Sequence, residues 1–211
     1  MSDIVLHDLH PSPNNIKVRL ALGYKRIEHE LVPVDPLDRS NLIEISGQPL
    51  SPVLVHGDVV VFDSSAILRY LEANVAREPR IFAAERETMQ AIEGWEQRTR
   101  GGGFGAPVGM MFGQFFAAKK DPALIAQANA LLDQRCVEID AALDGKEYLV
   151  ADRLTAADLC IVPLLYCGCQ TDESLAGMPA ESIPLFFKEH LRIDPRHERT
   201  LDYVARVMAH D

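Results

Sequence analysis

Within its first 34 residues the chain changes hydrophobic period twice, and that change restricts its architecture more than any other feature. Residues 3 to 9 (DIVLHDL) read as a strand, 15 to 24 as a helix closed by Gly23, and 28 to 34 (EHELVPV) as a second strand. This is a βαβ unit. The helix is entered through Ser12-Pro13-Asn14-Asn15, a turn whose polar groups lead straight into the apolar-periodic run IKVRLAL. A loop rich in turn formers, DPLDRSN, comes next, and then SPVLVHGDVVVFD, whose two β-branched runs flank His56-Gly57-Asp58 as a hairpin does. From Ser64 the pattern turns helical, with Ile67, Leu68 and Leu71 on one face. After Asn74 the segment VAREPRIFAAERE brings Pro79 and mixed charges, and beyond it no strand pattern returns, so a domain boundary is expected at residues 76 to 85. The remainder reads as helices over 85–100, 107–119, 122–143, 155–168, 181–190 and 198–209.

Composition narrows the function classes. The net charge of −10 argues against nucleic acid as the main partner, because phosphate neutralisation needs a surplus of Lys and Arg. The opening MSDIVLHDLH has an acidic residue in place of a basic n-region, so no signal peptide is expected. No stretch approaches the roughly 20 apolar residues of a membrane helix, so no membrane partner is expected. Cys136, Cys160, Cys167 and Cys169 lack the spacing of a redox pair or a zinc site and read as reduced thiols packed in helices of a cytoplasmic protein. The seven histidines show no metal-ligand pattern, so no metal is expected.

Three stretches, SPNNIKVRLAL (12 to 22), SGQPLSPVLV (46 to 55) and FDSSAILRYLE (62 to 72), have an order and spacing that resembles the glutathione site of the glutathione S-transferase family. The resemblance covers nearly the whole chain in outline. It implies a thioredoxin-like domain over 1–78 with a mixed four-stranded sheet, which binds glutathione. It also implies an all-helical domain over 85–211 that lines the pocket for an electrophile. Together these make an α/β plus all-α protein of the glutathione transferase fold.

Glutathione chemistry needs a thiolate at neutral pH, whereas a cysteine thiol has an unperturbed pKa of about 8.5. A donor at a helix N-terminus stabilises the anion by hydrogen bonding and through the helix dipole. The run Ser12-Pro13-Asn14-Asn15 resembles the zeta-class segment, in which the leading serine activates glutathione. It equally resembles the nu-class Thr-Pro-Asn pattern, in which the asparagine approaches the sulfur. Ser12 and Asn14 are therefore both candidates, and the same residues also read as a plain Ser-Pro turn with Asn15 as N-cap. Pro52 stands where the superfamily keeps a cis-proline, so the resemblance implies a cis Ser51–Pro52 bond and glutathione contacts from Gln48 and Ser51. The loop Gly47-Gln48-Pro49-Leu50-Ser51-Pro52 is two residues longer than the family's Gly-x-Val-Pro. Asp63 and Ser64 match the acidic-serine pair that holds the γ-glutamyl end, Ser64 for the carboxylate and Asp63 for the amine; simple N-capping is the alternative.

Thr155-Ala156-Ala157-Asp158 resembles the capping box of the family's second domain, a structural feature. In GGGFGAPVGMMFGQFF (101 to 116), Gly101, Gly103 and Ala106 fit a nucleotide-loop spacing, but no strand precedes them and no Lys-Ser/Thr follows. Phe104, Met110, Met111, Phe112, Phe115 and Phe116 of this run read either as pocket lining or as helix packing. Lys17, Arg19, Arg39, Arg98 and Arg100 are unranked sources of positive charge for an anionic ligand.

The expectation is a homodimeric enzyme that activates the thiol of glutathione, its co-substrate, through Ser12 or Asn14 and attacks a small apolar electrophile, as in detoxification. Glutathione-dependent disulfide or peroxide reduction without a protein cysteine is a second reading. A non-catalytic binding protein on the same fold is a third.

Overall fold

The hub of the first sheet is β1 (Ile4–Asp8), which pairs in parallel with β2 (Glu30–Pro33) on one side and antiparallel with β3 (Val53–His56) on the other. β3 continues antiparallel to β4 (Val59–Phe62), giving the order β2-β1-β3-β4. The structure, a computed structural model, describes residues 3–76, 78–100, 102–179 and 181–211. The central strands carry the core, with Ile4, Leu6, Val53 and Leu54 buried, whereas the edge strand β4 leaves Val59, Val60 and Phe62 exposed. The hairpin turns through Gly57, whose φ of 56° lies in the left-handed region that a residue without Cβ adopts freely.

Helix α1 (Pro13–Tyr24) joins β1 to β2, and α3 (Ser64–Tyr70) follows β4 and runs on into a wide π-type turn over Leu71–Val75. The sheet is mixed and four-stranded, and the arrangement is thioredoxin-like. A short helix, α2 (Ser40–Ser46), begins at the end of the stretch DPLDRSN that reads as loop and covers residues to which the sequence reading assigns no element. Only Leu42 of α2 is buried, so it has no apolar periodicity to find.

Gly23 does not close α1 through a left-handed residue, because the helix runs to Tyr24 and the positive φ falls on Arg26. Its role is close approach. A Cβ there would stand 1.8 Å from the carbonyl oxygen of His210. Residues 209–211 cluster with the first unit, Met1–Ala83, while Ala84–Met208 form the second. Asp211 accepts from Arg19 Nε and Nη2 at 2.7 Å each, and Arg19 Nη1 reaches both oxygens of Asp8 at 3.0 and 2.9 Å.

The second unit is helical: α4 (Arg86–Gln97), α5 (Gly105–Phe116), α6 (Pro122–Ala142), α7 (Ala156–Tyr166), α8 (Ile183–His190) and α9 (Glu198–Met208). Its centre is α7, where Asp158 is fully buried yet accepts from Leu149 N, Thr155 N, Thr155 Oγ1 and Tyr203 Oη at 2.8–2.9 Å. Thr155 and Asp158 form a capping box that also ties α7 to α9.

His197 is buried at the start of α9, with Nδ1 2.6 Å from Asp140 and Nε2 2.9 Å from Asp133. Both ring nitrogens face carboxylates, which calls for the doubly protonated imidazolium. Burial pulls its pKa down, but the hydrogen bonds to Asp140 and Asp133 outweigh burial and raise it above the ordinary value. The folded chain thus holds this proton more tightly than the unfolded chain. The resulting stability is whole below about pH 6.5 and is lost as pH rises through the higher folded value. Thermal unfolding followed between pH 6 and 9 is expected to show a falling melting temperature that His197→Gln flattens; equal slopes for the two proteins would refute the assignment. Separately, Asp158→Ala leaves several buried donors without an acceptor and is expected to cost about 3 kcal/mol or more in denaturant unfolding. Tyr203→Phe, which removes a single donor, is expected to cost about 1 kcal/mol.

Candidate functional site

Three chain segments that lie far apart in sequence meet at one end of the first unit. The first is the entry to α1. Ser12 takes the N-cap position with extended backbone (φ −60°, ψ 130°), Pro13 opens the helix, and the Ser12 carbonyl accepts from Asn15 N and Ile16 N. The Ser12 hydroxyl caps nothing, and among the described residues it has no hydrogen-bond partner. Asn15 is not the N-cap. It lies inside the first turn, fully buried, with Oδ1 accepting from Leu9 N at 3.0 Å and Nδ2 donating to Ser51 Oγ at 3.1 Å.

The second segment is the loop before β3. The Ser51–Pro52 peptide is cis, as are His10–Pro11 and Glu78–Pro79. The extra residues of this loop are braced by Gln48, whose Nε2 donates to Ser46 Oγ and to the Leu50 carbonyl at 2.9 Å and whose Oε1 accepts from Leu50 N at 2.7 Å. Both ends of the Gln48 amide are therefore engaged within its own loop.

The third is the start of α3. Asp63 is exposed, with φ 69° and ψ 118°, a backbone conformation that costs a residue with a Cβ on the order of 1–3 kcal/mol. Its Oδ1 repays part of that by accepting from Ser65 N and Ala66 N at 3.0 Å, while among the described residues Oδ2 makes no hydrogen bond. The capping role of Asp63 is thus realised, and it leaves one oxygen free for a second. Ser64 is buried; its hydroxyl accepts from Lys17 Nζ at 3.0 Å and faces Asn14 Oδ1 at 3.4 Å.

The structure therefore brings Asn14, Ser51, Asp63 and Ser64 into one polar cluster, with Ser12 at the mouth of the helix that enters it. Two residues that hold its members, Asn15 through Ser51 and Lys17 through Ser64, carry more of the geometry than their place in the sequence suggests. Every residue from Asn15 to Leu22 is buried, including Lys17 and Arg19, so α1 has no polar face to set off its functional positions. A polar residue inside an apolar-periodic helix is the one signal that was available.

In the second unit, Phe104 and Met111 are core residues, and Phe104 packs on Trp95 and on the Arg98 guanidinium. Packing is thus the outcome for these two. Gly103 admits no side chain, since a Cβ would meet Arg98 O at 1.8 Å where the backbone breaks between α4 and α5. Gly101 of the same run lies outside the described residues. Phe112 and Phe115 meet Phe187 and Phe186 edge to face, and Phe115 and Phe186 border a cavity of about 350 Å³ with Lys120, Ser182 and Leu185. The four cysteines form no disulfide, and burial pushes the thiols of Cys136, Cys167 and Cys169 up to about 12.

Residues 6–79 match the profile described as glutathione S-transferase, N-terminal domain. Over these residues the chain is similar to the N-terminal domain of the glutathione S-transferase family. "Glutathione S-transferase 3" of Zea mays is 29% identical over 99 residues, 45% of each chain, and a "Glutathione S-transferase" of Triticum aestivum is 26% identical over 160 residues, 72% of each. The match thus spans less than half the length of the maize relative. Among solved structures, a glutathione S-transferase from Rhodospirillum rubrum F11 superposes with a TM-score of 0.74 at 22% identity, covering 97% of this chain and 87% of that one. One from Methylobacillus flagellatus with GSH bound gives 0.72 at 19% identity, covering 96% and 93%. At these identities the superpositions show the fold, that of the glutathione transferases, in which the polar cluster falls within the matched N-terminal domain.

Asn15→Ala leaves the Leu9 amide buried without an acceptor and frees the Ser51 hydroxyl, and is expected to destabilise the protein by about 2–3 kcal/mol in denaturant unfolding. A loss below about 0.5 kcal/mol would mean that the loop before β3 holds its place without Asn15.

Proposed function

We propose that the protein binds glutathione at the polar cluster of the first unit and activates its thiol with the Ser12 hydroxyl for attack on an apolar electrophile. The observation that carries this reading is the unpartnered Ser12 hydroxyl at the N-terminus of α1, beside a helix entry tied to the Ser51–Pro52 loop through Asn15. The γ-glutamyl end lies at Ser64, with its amine toward the free oxygen of Asp63. The cysteinyl backbone pairs with the Ser51–Pro52 segment, with the thiol sulfur at Ser12.

There the hydroxyl donates its hydrogen to the sulfur, and the positive end of the helix dipole adds to the stabilisation of the anion. A drop of two pKa units from about 8.5 requires about 2.7 kcal/mol, within reach of one or two charge-assisted hydrogen bonds. The thiolate then forms a bond to the electrophilic carbon, whose leaving group departs with the electron pair. Asn14 is the weaker candidate, because its side-chain oxygen faces Ser64 and so points to the γ-glutamyl end. The Methylobacillus neighbour was solved with GSH bound, which supports the ligand.

We further propose a cytoplasmic homodimer in which a second copy covers the apolar edge left by Val59, Val60 and Phe62 of β4.

Ser12→Ala is expected to bring the pKa of bound glutathione back toward about 8.5 and to slow conjugation of a model apolar electrophile at neutral pH roughly tenfold, with glutathione affinity nearly unchanged. Asn14→Ala is expected to do less. Thiolate absorbance titrated against pH separates the two, and if neither variant moves it the serine is not the activating group. Light scattering at micromolar concentration is expected to give twice the chain mass of 23.4 kDa. A value near the single-chain mass would remove the dimer from the proposal.

A further inference from the structure

The two halves of α1 are held by different parts of the first unit. Its opening half is fixed by Asn15, which ties Leu9 to Ser51, and by Lys17 on Ser64. Its closing half meets residues 209–211, which belong to the same unit. Asp211 takes Arg19 in a two-point fork, Oδ1 accepting from Nε and Oδ2 from Nη2, both at 2.7 Å. The His210 carbonyl lies where a Cβ on Gly23 would meet it at 1.8 Å, and the His210 ring meets Tyr24 edge to face with centroids 5.1 Å apart. Arg19 is 8% exposed, and Asp8 already neutralises it by accepting from Nη1 at 2.9 and 3.0 Å. Charge balance is thus met by Asp8 alone. The second carboxylate answers a geometric need, because Asp8 engages only Nη1 and leaves Nε and Nη2 as buried donors that require an acceptor.

We infer that Asp211 is a positioning residue for the thiol chemistry: residues 209–211 clasp the far half of α1 and so fix where Ser12 stands at its mouth. This rests on the glutathione reading above. Without Asp211, Nε and Nη2 of Arg19 are buried with nothing to accept from them, and a tilt of α1 that brings them to water relieves the loss. Asn15, bonded on both sides, is the pivot of that tilt. Arg19 lies about 6 Å along the axis on one side of it and Ser12 about 4.5 Å on the other, so Ser12 moves by about three-quarters of any shift at Arg19. The hydrogen bond from Ser12 to sulfur is what such a movement spoils, since a misplacement of about 1 Å is enough to lose a well-aimed contact. The remaining contacts with glutathione come from Ser51–Pro52 and the start of α3, so affinity is spared.

The test follows the thiolate absorbance of bound glutathione against pH, together with turnover of a model apolar electrophile, in wild type, Asp211→Asn, Asp211→Glu and Gly23→Ala. Asp211→Asn is expected to raise the thiol pKa by about half a unit to one unit and to lower kcat at neutral pH about threefold to tenfold, with KM for glutathione within about twofold. At about pH 9.5 the difference in kcat is expected to close, because the thiolate forms there without help, whereas a general loss of structure would persist. Asp211→Glu keeps the carboxylate and is expected to stay close to wild type. Gly23→Ala drives His210 off α1 and is expected to give the same rise in thiol pKa, with the double variant no worse than either single one. In wild-type protein the Arg19 Nε–H signal is expected to exchange with water far more slowly than that of the exposed Arg199; equal rates would show the clasp open and overturn the inference without any variant. If wild type depresses the thiol pKa but Asp211→Asn and Gly23→Ala leave it unchanged, whatever they do to the melting temperature, the segment is structural and the inference falls alone. If wild type shows no thiolate at millimolar glutathione, the glutathione reading falls and takes this inference with it.

Discussion

The Asn15 side chain spans the gap between the end of β1 and the loop that leads into β3, and the geometry of the candidate site depends on that span. One amide accepts from the Leu9 backbone and donates to Ser51, so a single buried residue sets the entry to α1 and the seat of the Ser51–Pro52 loop together. Buried amides hold position well because each unmade hydrogen bond costs more than a made one gains. From that anchor the rest of the cluster follows. Ser12 is left at the helix mouth with its hydroxyl free, and Lys17, a half-turn beyond Asn15, reaches the start of α3.

The helical unit is organised by the same principle with different residues. Asp158 and His197 are both buried, and each bonds to other elements: Asp158 to Tyr203 of α9 and to Leu149, and His197 to Asp133 and Asp140 of α6. Such networks are directional where apolar packing is not, so they specify how α6, α7 and α9 meet. The His197 network leaves the unit sensitive to pH, and in the first unit the buried cations Arg19 and Lys25 are likewise held by carboxylates.

The segments that meet at the candidate site are legible in the sequence where a short stretch carries its own geometry. Ser12 ahead of Pro13, Pro52 ahead of a β-branched run and Asp63-Ser64 ahead of a helical pattern are local signals, and the structure brings these segments together. Burial is less legible. Asn15 reads as a cap because an amide beside a helix start is usually a cap, yet it lies buried inside the first turn, and the bracing of the longer loop by Gln48 has no local signal. α2 was invisible because a helix with one buried residue has no face.

Local chemistry written into the chain therefore determined the mixed sheet, the helical second half and the identity of the turns, since strand alternation, proline placement and capping residues act over a few positions. The tertiary structure alone decided which polar groups are consumed and which remain. Arg19 and Lys17 are two residues apart in the same helix, yet one is closed off by Asp8 and Asp211 and the other meets only hydroxyls. That difference depends on residues 47 and 192 positions away in the chain, and no period or propensity carries information over such distances.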